Sequence, residues 1–135
     1  MTVEYYCRAI DNIISANHDK NAAYTFLVFY EPCDKDIVLK SIADIKDQCS
    51  RGAITSVRDI QFHFVRDTIA DWQQLLLMST CDHNIIANST FSWWGAYFND
   101  NPDKIVCYPS VWFGPRLFFH DTSDLCLKTW HKIDA

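Results

Sequence analysis

The order of segments in this sequence predicts an α/β fold: a Rossmann-like layered domain around a mainly parallel sheet. Three observations carry that expectation. Short runs of β-forming residues alternate with stretches of helical apolar spacing along the chain. Hydrophobic residues make up 49% of the 135, enough to fill the core of one ordinary domain. No linker, internal repeat or low-complexity stretch divides the chain, so residues 1–135 read as a single domain.

The elements follow in order. Tyr6, Ala9, Ile10, Ile13 and Ile14 share one helical face. Tyr24–Tyr30, YTFLVFY, is a buried strand ended by Glu31-Pro32. Val38, Ile42 and Ile45 mark a second helix that runs out near Ser50-Arg51-Gly52. Ile60–Val65, IQFHFV, alternates apolar and polar as a less buried strand does. Asp71 is a suitable N-cap for a third helix with an apolar face of Trp72, Leu75, Leu76 and Ser79. His83–Ala87, HNIIA, is a compact strand, and Asn88-Ser89-Thr90 offers cap chemistry for a fourth helix, FSWWGAYFN. Asn99–Asp103 is turn-rich, and Lys104–Tyr108 is the last clear strand, ended by Pro109. The tail is looser, with aromatic anchors at Trp112, Phe113, Phe118, Phe119 and Trp130.

Composition excludes several classes. Aromatic residues at 15% rule out a disordered chain. The net charge of −5, with scattered lysines and arginines, argues against a nucleic-acid partner. No apolar run approaches the ~20 residues of a membrane span, and the first residues lack the features of a signal peptide. The expected location is therefore cytoplasmic or peripheral to a membrane. Six widely spaced cysteines, without CxxC or a Cys/His ladder, read as reduced core thiols rather than disulfides or metal ligands. With three glycines in the chain there is no GxGxxG, Walker or GxSxG motif.

The informative stretch is strand HNIIA, turn NST and helix FSWWGAYF. In an open α/β sheet, ligands sit outside the carboxyl ends of the strands. A strand-to-helix turn there aims several backbone N–H groups at one spot, and the helix dipole favours negative charge at it. Ser89, Thr90 and Ser92 add hydroxyls, so the turn suits a phosphate or diphosphate leaving group. Phe91, Trp93 and Trp94 are placed to wall a pocket, and Gly95 to let the helix approach its neighbour. On the residues alone the favoured reading is an ordinary helix cap followed by ordinary aromatic core.

LLLMSTCDHNIIANSTFSWWGAYF resembles the third motif of the α-1,2-fucosyltransferases, glycosyltransferase family 11, whose pattern is close to LMSxCxHxIIANSxFSWWGAxL. Tyr5-Tyr6 with Ala9-Ile10 resembles the family's YYxxAI helix, Asp103 to Phe113 its next strand and PxxWF turn, and Asp124-Leu125 with Trp130 to Ile133 its terminal segment. The resemblance covers nearly the whole chain. It implies the C-terminal, donor-binding half of a GT-B enzyme, with two Rossmann-like halves facing across a cleft. It implies transfer of L-fucose from GDP-fucose to the 2-hydroxyl of a galactoside, inverting and without metal or cofactor. Carried over by position, His83, Asn88, Ser89, Thr90, Phe91, Ser92 and Trp93 are the donor-binding candidates.

The sequence departs from the family at three places. The family's HxRR strand with its following Gly-Asp is absent ahead of the YYxxAI helix; His63 to Asp67 is not a substitute, and Arg66 reads as a surface charge. The FSxD motif is replaced by Phe29 to Asp34, and the acid before LxLMS by Gln74. Asp71, Glu31 and His83 are candidate general bases, none singled out, so the catalytic residues stay unassigned. His18, His120 and His131 read as surface histidines. Without the HxRR strand the sheet is expected to have a vacant position or an apolar edge, which invites association. The chain is then expected to be a fragment, a split-gene product or one part of a complex with a missing N-terminal half. It is expected to be inactive alone. The competing expectation is a catalytically silent nucleotide-sugar-binding or interaction module of the same fold.

Overall fold

The computed structural model describes residues 1–17, 22–51, 60–117 and 119–134. His18, Gly52 and Phe118, named above, lie outside the described residues. The elements run α1 (Val3–Ala16), β1 (Tyr24–Val28), a 3-10 turn (Pro32–Asp34), α2 (Lys35–Ser50), β2 (Ile60–Phe64), α3 (Asp71–Ser79), β3 (Asn84–Ile85), α4 (Thr90–Phe98), β4 (Val106–Pro109), a 3-10 turn (Pro115–Leu117) and β5 (His131–Ile133). Every strand pairing among the described residues is parallel, in two pieces: β1 beside β2, and β3-β4-β5. This is the expected α/β fold, Rossmann-like and parallel.

Thr2 caps α1, its Oγ1 accepting from the Tyr5 N–H at 3.1 Å, and Glu4 in the first turn suits the dipole. The apolar face of α1 is wide enough to serve two cores. Cys7, Ile10 and Ile14 pack with Ile42 and Ile45 of α2 and with the inward residues of β1 and β2. Tyr5, Ala9 and Ile13 pack with Cys107 of β4 and Ile133 of β5. β2 alternates as its sequence predicts: Ile60, Phe62 and Phe64 turn to the core, Gln61 and His63 to solvent. On the second face of the sheet a third cluster joins Ile86, Ala96, Val106 and Trp130.

Four expectations need correction. The N-cap of α3 is Ala70, with Asp71 one position inside; the Gln73 Oε1 accepts from the Ala70 N–H at 3.1 Å, the returning half of a capping box. Its expected apolar face is also wrong, because Trp72 is 64% and Leu76 56% exposed while Met78 is buried. α3 packs on α4 rather than on the sheet, and Gly95 admits Met78 so closely that the helix turns that side inward. β5 completes a sheet edge in the tail that reads as loose in the sequence, and β4 extends to Pro109. All six cysteines are free, but Cys33 is exposed rather than in the core. No helix among the described residues is long and apolar enough to cross a membrane.

Candidate functional site

β3 and its turn fix the site. Asn84 and Ile86 donate their N–H groups to the carbonyls of Ile105, just before β4, and Cys107 of β4, both at 2.9 Å. The Ser89 N–H then bonds the Ala87 carbonyl at 2.8 Å, a tight turn that ends the strand earlier than the run HNIIA suggests. Ser89 occupies the N-cap of α4 in extended conformation, but its side chain makes no capping bond. The first bond of α4 runs from the Trp93 N–H to the Ser89 carbonyl at 3.0 Å. The N–H groups of Thr90, Phe91 and Ser92 therefore precede the helical ladder, at the carboxyl end of β3 where the dipole is positive.

The side chains of the turn divide into inward and outward groups. Asn88 donates through Nδ2 to the Trp112 carbonyl at 3.1 Å and ties the turn to the loop after β4. Ser92 is turned inward, its Oγ donating to the Ser89 carbonyl at 3.1 Å with the Ala87 carbonyl at 3.4 Å. Trp93 donates its indole N–H to the Leu125 carbonyl at 2.9 Å and packs against Tyr97 and Trp130, so it belongs to the wall and the core together. Thr90 and Phe91 face solvent, and Ser89 is half-buried. Trp94 is exposed, stacked with Phe98 on the outer side of α4.

His83 is not brought to this group. It precedes β3, at the opposite end of the strand from the turn, and its Nδ1 accepts from the Ile105 N–H at 3.0 Å. That bond makes it a structural clasp between β3 and β4. Beside it, Asn99 is buried and donates to the Cys81 carbonyl and to Asn84 Oδ1 at 2.7 and 2.8 Å, holding the same amino edge. Glu31 follows β1 and Asp71, the first residue of α3, follows β2, so each lies beyond the carboxyl end of its own strand in the β1-β2 piece. Arg66 is exposed, as its sequence position suggests.

A cleft of about 220 Å³ opens at the carboxyl end of β4. Tyr108, Ser110 and Trp112 line it from the strand and its loop, Thr122 and Ser123 from the later loop, and Lys132 from β5. Trp112 thus joins the cleft to the Asn88 turn. Burial pushes the Tyr108 phenol up, with the Cys126 thiol adding to it, so the hydroxyl stays a neutral donor. The Ser123 backbone N–H, at 2.9 Å, and its side chain hold the Asp121 carboxyl below the usual range at the rim. Sequence reasoning missed Lys132, Tyr108 and the Thr122-Ser123 pair, because nothing in their local pattern signals that the tail folds back over β4. A second cavity, of about 320 Å³ between α1 and α2, is lined by Glu4, Asp44, Asp47 and Arg51, with Arg51 paired to Asp47 at 2.9 Å, so its balance is acidic. Among the described residues no group of His, Cys, Asp and Glu is arranged to hold a metal ion.

The profile of Glycosyl transferase family 11 matches residues 8–134. An O-antigen biosynthesis glycosyltransferase of Escherichia coli, WbnK, is 48% identical over 59 residues, 44% of this chain and 18% of that protein. An alpha-1,2-colitosyltransferase of Escherichia coli is 38% identical over 58 residues, 43% of this chain and 19% of that protein. The chain thus matches under one fifth of the length of these curated relatives. No solved structure matches it.

Proposed function

From the premise that the chain belongs to glycosyl transferase family 11, we propose that it is the donor-binding half of an α-1,2-fucosyltransferase of GT-B architecture, holding GDP-fucose for inverting, metal-independent transfer to the 2-hydroxyl of a galactoside. The observation that carries this reading is the Asn88–Ser92 turn. It lies at the carboxyl end of β3, with unladdered N–H groups at the start of α4 and Trp112 linking it to the cleft. In the reaction the acceptor hydroxyl gives its proton to a base and attacks the anomeric carbon of the sugar, the bond from that carbon to the phosphate oxygen breaks, and the nucleoside diphosphate leaves with the electron pair. The growing charge on the leaving phosphate is what the N–H groups of Thr90 and Phe91 and the α4 dipole are placed to stabilise. Lys132 adds a cation within the adjoining cleft. The hydroxyls of Ser89 and Thr90 are the side-chain donors left for the phosphates, since that of Ser92 is engaged inside the turn.

The colitosyl transfer named for one relative makes the sugar the variable to test. Calorimetric titration with GDP, GDP-fucose and GDP-mannose measures whether the fucose ring adds affinity. Binding of GDP-fucose at millimolar concentration or tighter is expected, weakened by about 1–3 kcal/mol in Thr90→Ala or Lys132→Ala. No heat with any of the three at millimolar ligand would sink the donor reading. A silent binding module differs in one readout: it binds GDP-fucose yet gives no transfer when supplied with the remaining half of a family enzyme.

A further inference from the structure

The segment from β3 through the turn to α4 is closed at its base. Asn84 opens β3, and Asn99 ends α4 as its C-cap. The Asn99 Nδ2 donates to Asn84 Oδ1 at 2.8 Å, so one side-chain bond joins residues 15 positions apart in the chain. Among the described residues Asn99 is the one polar side chain in the buried set, at 2% exposed. Its bonding capacity is nearly filled. The second Nδ2 proton goes to the Cys81 carbonyl at 2.7 Å, and Oδ1 accepts from the Asn101 N–H at 3.0 Å. A buried amide bonded on both sides is held in one orientation.

That bond belongs to a closed circuit. Asn84 donates through Nδ2 to the Met78 carbonyl at 2.9 Å, in the last turn of α3. The Met78 side chain lies against Gly95 of α4. The circuit therefore runs Met78, Gly95, Asn99, Asn84 and back to Met78, and it joins α3, α4 and β3. Lys104 reinforces it on the α4 side. Its Nζ donates to the Ala96 carbonyl at 3.0 Å and to the Asn99 carbonyl, where the last carbonyls of a helix lack partners and the dipole is negative. The circuit fixes what apolar packing leaves free. Ala96 seats α4 against Ile86 and Val106, but apolar contact is non-directional and sets only distance. Hydrogen bonds are angular, so they set the tilt and axial position of the helix. Thr90 stands about 7.5 Å along the axis from Gly95. A tilt of about 10° around the Gly95 contact carries the Thr90 and Phe91 N–H groups through about 1 Å. A preorganised site tolerates about 0.5 Å.

We propose that Asn99, supported by Lys104, is a positioning residue of the anion-binding turn: by closing the base of the β3–turn–α4 segment it sets the tilt of α4, and so the direction of the Thr90 and Phe91 N–H groups at the other end. Neither Asn99 nor Lys104 reaches the turn itself. Both act through a helix only 9 residues long, whose two ends move together. The proposal rests on the reading of that turn as the diphosphate site.

The test measures position and affinity together in the full chain. Amide chemical shifts of Thr90, Phe91 and Ser92 are recorded by NMR without ligand. Binding of inorganic pyrophosphate and of GDP is titrated by calorimetry. Asn99→Ala and Lys104→Met open the circuit and its support. Ile45→Ala, in the core between α1 and α2, lowers stability without touching either. The three amide shifts are expected to move in Asn99→Ala and Lys104→Met and to stay in place in Ile45→Ala. Both probes should bind at least about tenfold more weakly to the first two variants and as the parent does to the third. Lys104→Arg, which keeps the cation and its donors, should recover the parent shifts and most of the affinity. Adding Asn84→Ala to Asn99→Ala should cost no further affinity, because the circuit is already open. Should Asn99→Ala fail to fold, Lys104→Met carries the test, since it leaves the Asn99 side-chain bonds in place. An equal loss of affinity in Ile45→Ala would overturn the proposal, as would unmoved shifts with parent affinity in Lys104→Met. Binding that the parent shows and every variant keeps would overturn this proposal alone. No binding of either probe by the parent would overturn the diphosphate reading, and the proposal with it.

Discussion

Substituting alanine for Gly95 tests whether close approach of α3 and α4 positions the candidate turn. A Cβ at this position stands 2.8 Å from both the Cβ and the Sδ of Met78, and 3.4 Å from its Cγ. Carbon atoms in favourable contact sit about 3.5–4.0 Å apart. The Sδ can swing aside, but the Met78 Cβ is fixed to the α3 backbone, so the helices must part by up to about 1 Å to restore ordinary contact. Overpacking of this kind costs about 1–3 kcal/mol. Alanine is better than glycine inside a helix by about 1 kcal/mol. The expected net effect is a loss of roughly 0–2 kcal/mol. Urea unfolding followed by tryptophan fluorescence reads it, because Trp93 and Trp94 flank the position. Met78→Ala alone should cost about 2–5 kcal/mol through the cavity it leaves. In the double variant the new methyl occupies part of that cavity, so the two losses add to less than their sum, with a coupling of about 1 kcal/mol. A Gly95→Ala protein more stable than the parent, or strict additivity in the double variant, would refute the close approach.

Two other consequences can be measured the same way. In a parallel ladder the Ile86 carbonyl would accept from the N–H of residue 109, which is proline; the Tyr5 hydroxyl donates in its place and also reaches the Cys107 carbonyl at 3.2 Å. Tyr5→Phe should therefore cost about 1–3 kcal/mol, and Pro109→Ala in that background should restore part of it by supplying an N–H. A neutral Tyr5→Phe, or no rescue, would contradict this exchange of donors. Burial pushes the Cys107 thiol from the usual 9.0 to about 12. The unfolded chain therefore ionises first, and the thiol's contribution is whole below pH 9 and is lost as pH rises toward 12. The window corresponds to about 4 kcal/mol at about 1.4 kcal/mol per pH unit. Urea midpoints should fall steadily above pH 9, more shallowly in Cys107→Ala. An unchanged slope in that variant would remove Cys107 as the cause.

How much of this was legible in the sequence depends on whether each element decides its own structure. α1, α2 and β2 were legible because their apolar spacing matches the face they bury, down to the outward Gln61 and His63; β1 forms where its residues predict but stops at Val28 and is half-buried rather than buried. β5 was not: His131–Ile133 has no strand pattern of its own and is extended because Cys107 to Pro109 offer it a ladder. The inward face of α3 was misread because Trp72 and Leu76 are its largest apolar residues, while the orientation is set by Gly95 on another helix. The turn at Asn88–Ser92 was legible from its cap residues. The cleft beside it was not, because Lys132 and Thr122 come to it from a tail whose path depends on Trp112 and Trp130. His83 was carried over from the family motif; the structure sets it at the amino end of β3, bonded to the Ile105 N–H, because a strand carries its two ends to opposite edges of a sheet.

The orientation of the turn's side chains changes what the candidate site depends on. Asn88 ties the turn to Trp112, Ser92 closes it on itself, and Trp93 anchors it to Leu125. Three of its polar residues therefore hold the loop's shape, and the groups left facing outward are the backbone N–H groups of the first turn of α4 with Thr90 and Ser89. Binding built on backbone groups is sensitive to where the helix starts and less sensitive to any one side chain. The position of α4 is fixed from two directions: by Met78 against Gly95 on one side, and by β3 against β4 on the other. β3 contributes only two ladder residues to that task, so the Met78–Gly95 contact carries a correspondingly larger share of it.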